Sequence, residues 1–248
     1  MTNSITDISQ RQAAIIAGIG FLITLAGVVL ATICGTDPGI IVPGDAAATA
    51  DKIVDSGGMF RTGIIGWLIA ILGDVVRAWA LYVFFKRVNK NVALLAAWWM
   101  LLHDAIFGFA NSCLVVVSEL LGGSGYFAGL PLDTVHPLMM MLLKMHFYGF
   151  EIGLLFFSFH LLLLGYLALK SGYVPKILSV LVLIAGLGYL VDSAGIIILP
   201  HYPALLTNVL ALPNIVGELA LVVWLVFKGG KILSKDEGRV SKEEKVNT

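Results

Sequence analysis

Charge is what this chain has least of. Of its 248 residues only 13% are Asp, Glu, Lys or Arg, and 58% are hydrophobic. An ordinary soluble domain carries about 25% charged residues. The shortage runs the whole length, which leaves no room for a soluble catalytic domain and points to a polytopic helical membrane protein. Sixteen basic residues balance sixteen acidic ones, so nothing marks a nucleic-acid partner. Cysteine is nearly absent. Cys34 and Cys113 sit in no CxxC or Cys/His pattern, which excludes a zinc finger and a disulfide framework. Cys34 ends one apolar run and Cys113 lies about 10 Å inside another, so both read as small packing residues. Catalytic motifs are missing as well. There is no HExxH, no GxSxG elbow and no GxGxxG behind a strand. Gly122, Gly123 and Gly125 lack the Lys-Ser/Thr of a phosphate loop.

What is present in quantity is apolar sequence. Six runs reach the ~20 residues that cross a bilayer of about 30 Å: residues 13–34, 59–85, 92–121, 142–169, 176–199 and 206–227. The first is longer than the ~7–15 residues of a signal-peptide core and is read as a retained span. The fold class expected is therefore all-α, a bundle of six transmembrane helices. Residues 1–12 are expected to form a cytoplasmic segment, 13–230 one membrane domain, and 231–248 a charged, disordered cytoplasmic tail. Between the first two spans, Asp45 before three alanines reads as a helix N-cap, and Gly57-Gly58 reads as the stop. A short helix on the outer face is expected there. Arg11, the 86–90 loop, Lys170, Lys176 and Lys228 to Lys235 fall on one side, while Asp37, Asp45, Asp51, Asp55 and Asp133 fall on the other. By the positive-inside rule both termini are expected to be cytoplasmic.

The polar residues inside these runs carry the functional hypothesis, because an unpaired ionisable group in hydrocarbon costs several kcal/mol. Asp74 lies near the middle of the second run, with Arg77 one turn on and able to neutralise it. His103 and Asp104 lie mid-way in the third, and Glu218 mid-way in the sixth, one turn after Asn214. Asp192 lies about 10 Å below the outer end of the fifth. The fourth carries His146, Glu151 and His160. At 100° per residue His146 and His160 share one face and Lys144 and Glu151 another, so the two sets cannot line one cavity. Arg61 sits at the outer edge of the second run. Two histidines fourteen apart raise bis-histidine haem ligation, but no facing run supplies a matching pair. A metal-assisted hydrolase built from His103, Asp104, His160 and Glu218 has no supporting spacing. No cofactor or metal ligand set is assigned.

The motifs taken together resemble a family. They are Val42-Pro43-Gly44-Asp45-Ala46-Ala47-Ala48-Thr49-Ala50, Phe60-Arg61-Thr62-Gly63, Asp74, and His146-Phe147-Tyr148-Gly149 leading to His160. Ser171-Gly172-Tyr173-Val174-Pro175, Gly186-Leu187-Gly188-Tyr189-Leu190-Val191-Asp192-Ser193, and Pro213 with Glu218-Leu219 continue them. In order over roughly residues 11–230, they resemble the prokaryotic membrane-protein family known as domain of unknown function 4386. The resemblance implies six membrane helices and supplies no catalytic role. Its pattern coincides here at Arg61, Asp74, His146, His160, Asp192 and Glu218, and it does not call for His103, Asp104 or Glu151.

Three functional readings follow. The first is a polar intramembrane pocket open to the outer leaflet, formed by Arg61, His146, Asp192 and Glu218, that binds or moves a small polar or amphiphilic ligand. The second is an intramembrane enzyme, with or without a metal, centred on Asp74, His160 and Glu218. The third is an accessory subunit whose polar groups only hold helices together. The partners expected are the lipid bilayer and a small molecule; oligomeric state is not legible.

Overall fold

The computed structural model describes residues 8–34, 40–123 and 125–229, and among these it is all-helical with no strand. Asp37 and the tail 231–248 lie outside the described residues. The helices are α1 (Gln10–Ile33), α2 (Ala46–Asp55), α3 (Gly58–Phe85), α4 (Lys90–Leu121), α5 (Leu132–Ser171), α6 (Lys176–Ile198) and α7 (Ala204–Trp224). A π turn, Leu225–Gly229, continues α7. Six of the helices are long and apolar enough to span a membrane, and α2 is the short one between the first two.

Local signals set the boundaries. Ser9 and Gln12 form a reciprocal capping box, so α1 begins at Gln10, three residues before its apolar run. Asp45 caps α2 by accepting from the Ala48 N–H at 2.8 Å, and Gly57 supplies the positive φ of the turn into α3. Asn89 caps α4 through the Val92 N–H at 3.1 Å. The one large departure is α5. It starts at Leu132, ten residues before the expected boundary, and runs for 40 residues through Pro137. At 1.5 Å per residue it measures about 60 Å, so its first turns stand beyond the ~30 Å hydrocarbon layer. Those turns are held by burial. Val135, Met139 and Leu143, four residues apart, pack with Ile53 of α2, Phe60 of α3 and Leu114 and Val117 of α4. One face of apolar contacts outweighs the single ladder bond that Pro137 removes.

The helices pack in sequence around a ring: α1 on α3, α3 on α4, α4 on α5, α5 on α6 and α6 on α7. The α1/α3 seam is the tightest. A Cβ added at Gly20, Gly27, Gly66 or Gly73 would lie 2.5–2.9 Å from backbone nitrogens of the facing helix. These glycines, paired at a seven-residue spacing on both helices, let two backbones touch as small residues do in membranes. The α7/α1 closure is different. It is made chiefly at one end, where the π turn meets α1, and is thin above it.

That closed end is also the basic end. The Phe84 carbonyl, one of the orphan acceptors in the last turn of α3, accepts from Gln10 Nε2 at 2.8 Å and from the Tyr173 hydroxyl at 3.3 Å. Arg87 donates to Gln10 Oε1 at 3.3 Å. The start of α1, the end of α3 and the α5–α6 turn are thereby clasped together. Half-buried against Phe84 and Phe85, the Tyr173 phenol is pushed up by desolvation, so it keeps its proton for that bond.

Candidate functional site

The centre of the bundle holds one guanidinium. Arg77 is on α3, where its helical phase turns it inward, and it is buried between the rings of Phe21 (α1) and Phe157 (α5), 5.3 and 5.5 Å from their centroids. It does not reach for the inner interface. Its Nη2 lies 2.8 Å from Asp74 Oδ1, one turn back on the same helix. Its Nη1 lies 3.6 Å from Glu218 Oε2 on α7. The outer ends of this chain are also tied. Thr24 Oγ1 of α1 donates to Asp74 Oδ1 at 2.8 Å, and the Tyr189 hydroxyl of α6 donates to Glu218 Oε1 at 2.9 Å. Thr24 reaches Asp74 because Gly73 and Gly20 bring the α1 and α3 backbones together. His103 and Asp104 of α4 approach from the other side. Asp74, His103 and Asp104 each place a ligating atom within 4.8 Å of the others. All six spans thus meet at one polar centre.

Beside this centre lies a cavity of about 360 Å³. Asp74, Arg77, His103, Tyr189 and Glu218 form its polar floor, while Trp67, Phe107, Phe150, Leu154 and Phe157 wall it. The aromatics brace one another. Trp67 stands edge-on to Phe107 at 5.0 Å, and Phe107 packs on Phe150 at 4.9 Å. The rim runs along the α1/α7 flank. Leu25 of α1 and Ile215 of α7 line the cavity, yet they are 40% and 53% exposed on the lipid-facing surface.

The residues expected to act divide into two sets. Asp74 and Glu218 are brought together through Arg77. His160 borders a small void on the far side of Arg77 and Glu218, and its Nδ1 donates to the Ala96 carbonyl at 2.8 Å. Arg61, His146 and Asp192 are brought to neither that centre nor one another. Arg61 is 62% exposed at the surface, donating to Ser118 Oγ at 2.7 Å with Glu119 at 3.5 Å. His146 donates from Nδ1 to the Ala110 carbonyl at 3.2 Å. Asp192 accepts from Thr207 Oγ1 at 2.9 Å. The phase separation of α5 is as the spacing implies. Both histidines face α4, fourteen residues apart on each helix, and Glu151 lies beside Asp192 and Ser193 of α6.

Four members of the centre carry little signal in the sequence. Arg77 reads in sequence as a self-contained pair with Asp74. Thr24 and Tyr189 are ordinary hydroxyls in apolar runs, and Phe157 is one of thirteen phenylalanines. The available signal was depth: Asp74, His103 and Glu218 all fall near mid-span.

A protein of Archaeoglobus fulgidus described as uncharacterized is 31% identical over 170 residues, covering 68% of this chain and 85% of its own. No solved structure matches this chain. The model of the family described as domain of unknown function (DUF4386) matches residues 16–229, which include every residue of the polar centre. With six membrane-crossing helices built over that matched stretch, the chain is a multi-pass membrane protein and belongs to the DUF4386 family.

Proposed function

We propose that this protein binds or moves a small amphiphilic molecule inside the bilayer, and that the cavity beside Arg77 is its site. One observation carries the reading: an aromatic-walled space of about 360 Å³ ends on a floor of buried charged and hydrogen-bonding groups. Ligand sites combine a mostly apolar lining of roughly 300–1,000 Å³ with a few convergent polar groups. An apolar body would lie against Trp67, Phe107 and Phe150, and a polar end would meet Asp74, Arg77, Tyr189 and Glu218. Access from the membrane plane, through the thin α1/α7 flank lined by Leu25 and Ile215, suits a molecule already dissolved in lipid. The geometry favours this mid-membrane pocket over one at the outer leaflet, because Arg61, His146 and Asp192 are each engaged locally and apart.

The reading includes residence in the cytoplasmic membrane of a prokaryote with both termini inside. It is supported by the basic residues gathered at one end of the bundle and by the archaeal relative. The binding claim is tested by mass spectrometry of amphiphiles released from the purified protein, comparing wild type with Leu154→Trp, which would fill the cavity.

A further inference from the structure

The polar centre has a charge imbalance that its own hydrogen bonds do not resolve. Three carboxylates, Asp74, Asp104 and Glu218, share the interior with one guanidinium. When all are ionised, two negative charges are left over in a medium where an uncompensated charge costs several kcal/mol. Asp104 is the sharpest case. It is 4% exposed, and neither carboxylate oxygen has a hydrogen-bond partner among the described residues. His103 beside it is also buried, and its Nδ1, packed against Gly153, makes no hydrogen bond. The Thr24 hydrogen bond and the Arg77 ion contact of Asp74 both fall on Oδ1.

We propose that Asp74, His103 and Asp104 hold a divalent first-row transition-metal ion of the Zn²⁺ type. One imidazole nitrogen and two carboxylate oxygens form the donor set. Imidazole selects against Mg²⁺ and Ca²⁺, and the lack of thiolate selects against Cu⁺. The three donors lie within 4.8 Å of one another. Around a common ion at about 2.0–2.2 Å they would sit roughly 3–3.5 Å apart, so closure needs only small side-chain rotations. A 2+ ion cancels the two surplus charges and satisfies the orphan carboxylate in one step. Asp74 and His103 also line the cavity, which leaves an open coordination position facing the space where a ligand would lie. The proposal does not depend on the amphiphile reading.

The test uses the full-length protein, purified with a tag free of histidine, stripped with chelator and titrated with Co²⁺. The wild type should take up about one equivalent and develop a visible d–d absorption band, as an ordered N/O site does. Asp104→Asn and His103→Gln should each weaken Co²⁺ retention at least tenfold while keeping helical circular dichroism and gel-filtration position. The surface changes His136→Asn and His201→Asn should leave it unaltered. No band and no retained metal in the wild type would overturn the site, and so would a folded Asp104→Asn or His103→Gln that holds Co²⁺ as the wild type does. If Asp104→Asn does not fold, the wild-type titration and His103→Gln decide.

Discussion

At the scale of single residues, Arg77 is the organising group. It offers charge to Asp74 and Glu218 at once and a cationic face to Phe21 and Phe157. Removing one member of a buried ion pair leaves its partner uncompensated and costs about 3–5 kcal/mol, much more than deleting a neutral hydrogen bond at about 1 kcal/mol. Arg77→Met should therefore lower the thermal midpoint in detergent sharply. Tyr189→Phe, which removes one donor to Glu218, should lower it by a fraction of that. Equal losses for the two would show that Arg77 is not the hub. Histidine offers a contrast. His146 and His160 stand out in sequence as ionisable groups in hydrocarbon, yet each is engaged by one α4 carbonyl. Depth along a helix is legible from sequence, and so is phase. Which neighbour faces a given phase is not, because it depends on helix order around the ring. For that reason Asp74 and Glu218 could be placed at one depth while Arg61, His146 and Asp192 could not be sorted by the direction they face.

At the scale of elements, boundaries were legible wherever a cap or a charge marked them. Asp45 and Gly57 frame α2 as their chemistry dictates, and Gly172 with Pro175 ends α5. The start of α5 was hidden. Pro131 and Pro137 look like loop punctuation, whereas the periodic burial of Val135, Met139 and Leu143 becomes visible only against α2 and α4. The α1/α3 glycine seam was equally quiet, because a glycine's meaning depends on what a side chain would strike. At Gly73 it would strike the Thr24 backbone. Gly73→Leu should force α1 off α3, lose roughly 1–3 kcal/mol to overpacking, and detach Thr24 from Asp74. Gly58→Ala, where an added Cβ meets nothing within 4 Å, should be neutral or slightly stabilising. Thermal midpoints of the two variants check this; a Gly73→Leu protein as stable as wild type would contradict the close seam.

At the scale of the whole molecule, composition and hydropathy were enough for the six-span architecture, because hydrocarbon forces every backbone group into a helix. The proposed sidedness rests on the distribution of basic residues. The clasp of Gln10, Arg87, Tyr173 and the Phe84 carbonyl gathers the start of α1, the end of α3 and the α5–α6 turn at the basic end. A fluorescent-protein fusion at the C-terminus should light up and an alkaline phosphatase fusion there should stay silent; an active phosphatase would reverse the orientation. The cavity was not legible, since an internal space is a property of how six helices fail to fill a ring, not of any one stretch. Whether that space is occupied is the question on which the functional reading rests. It is answered by mass spectrometry of molecules released from protein purified out of native membranes. If the cavity is the binding site, the wild type releases about one discrete amphiphile per chain beyond bulk lipid, and a folded Leu154→Trp releases none. Equal release from both proteins, or none from the wild type, would contradict it.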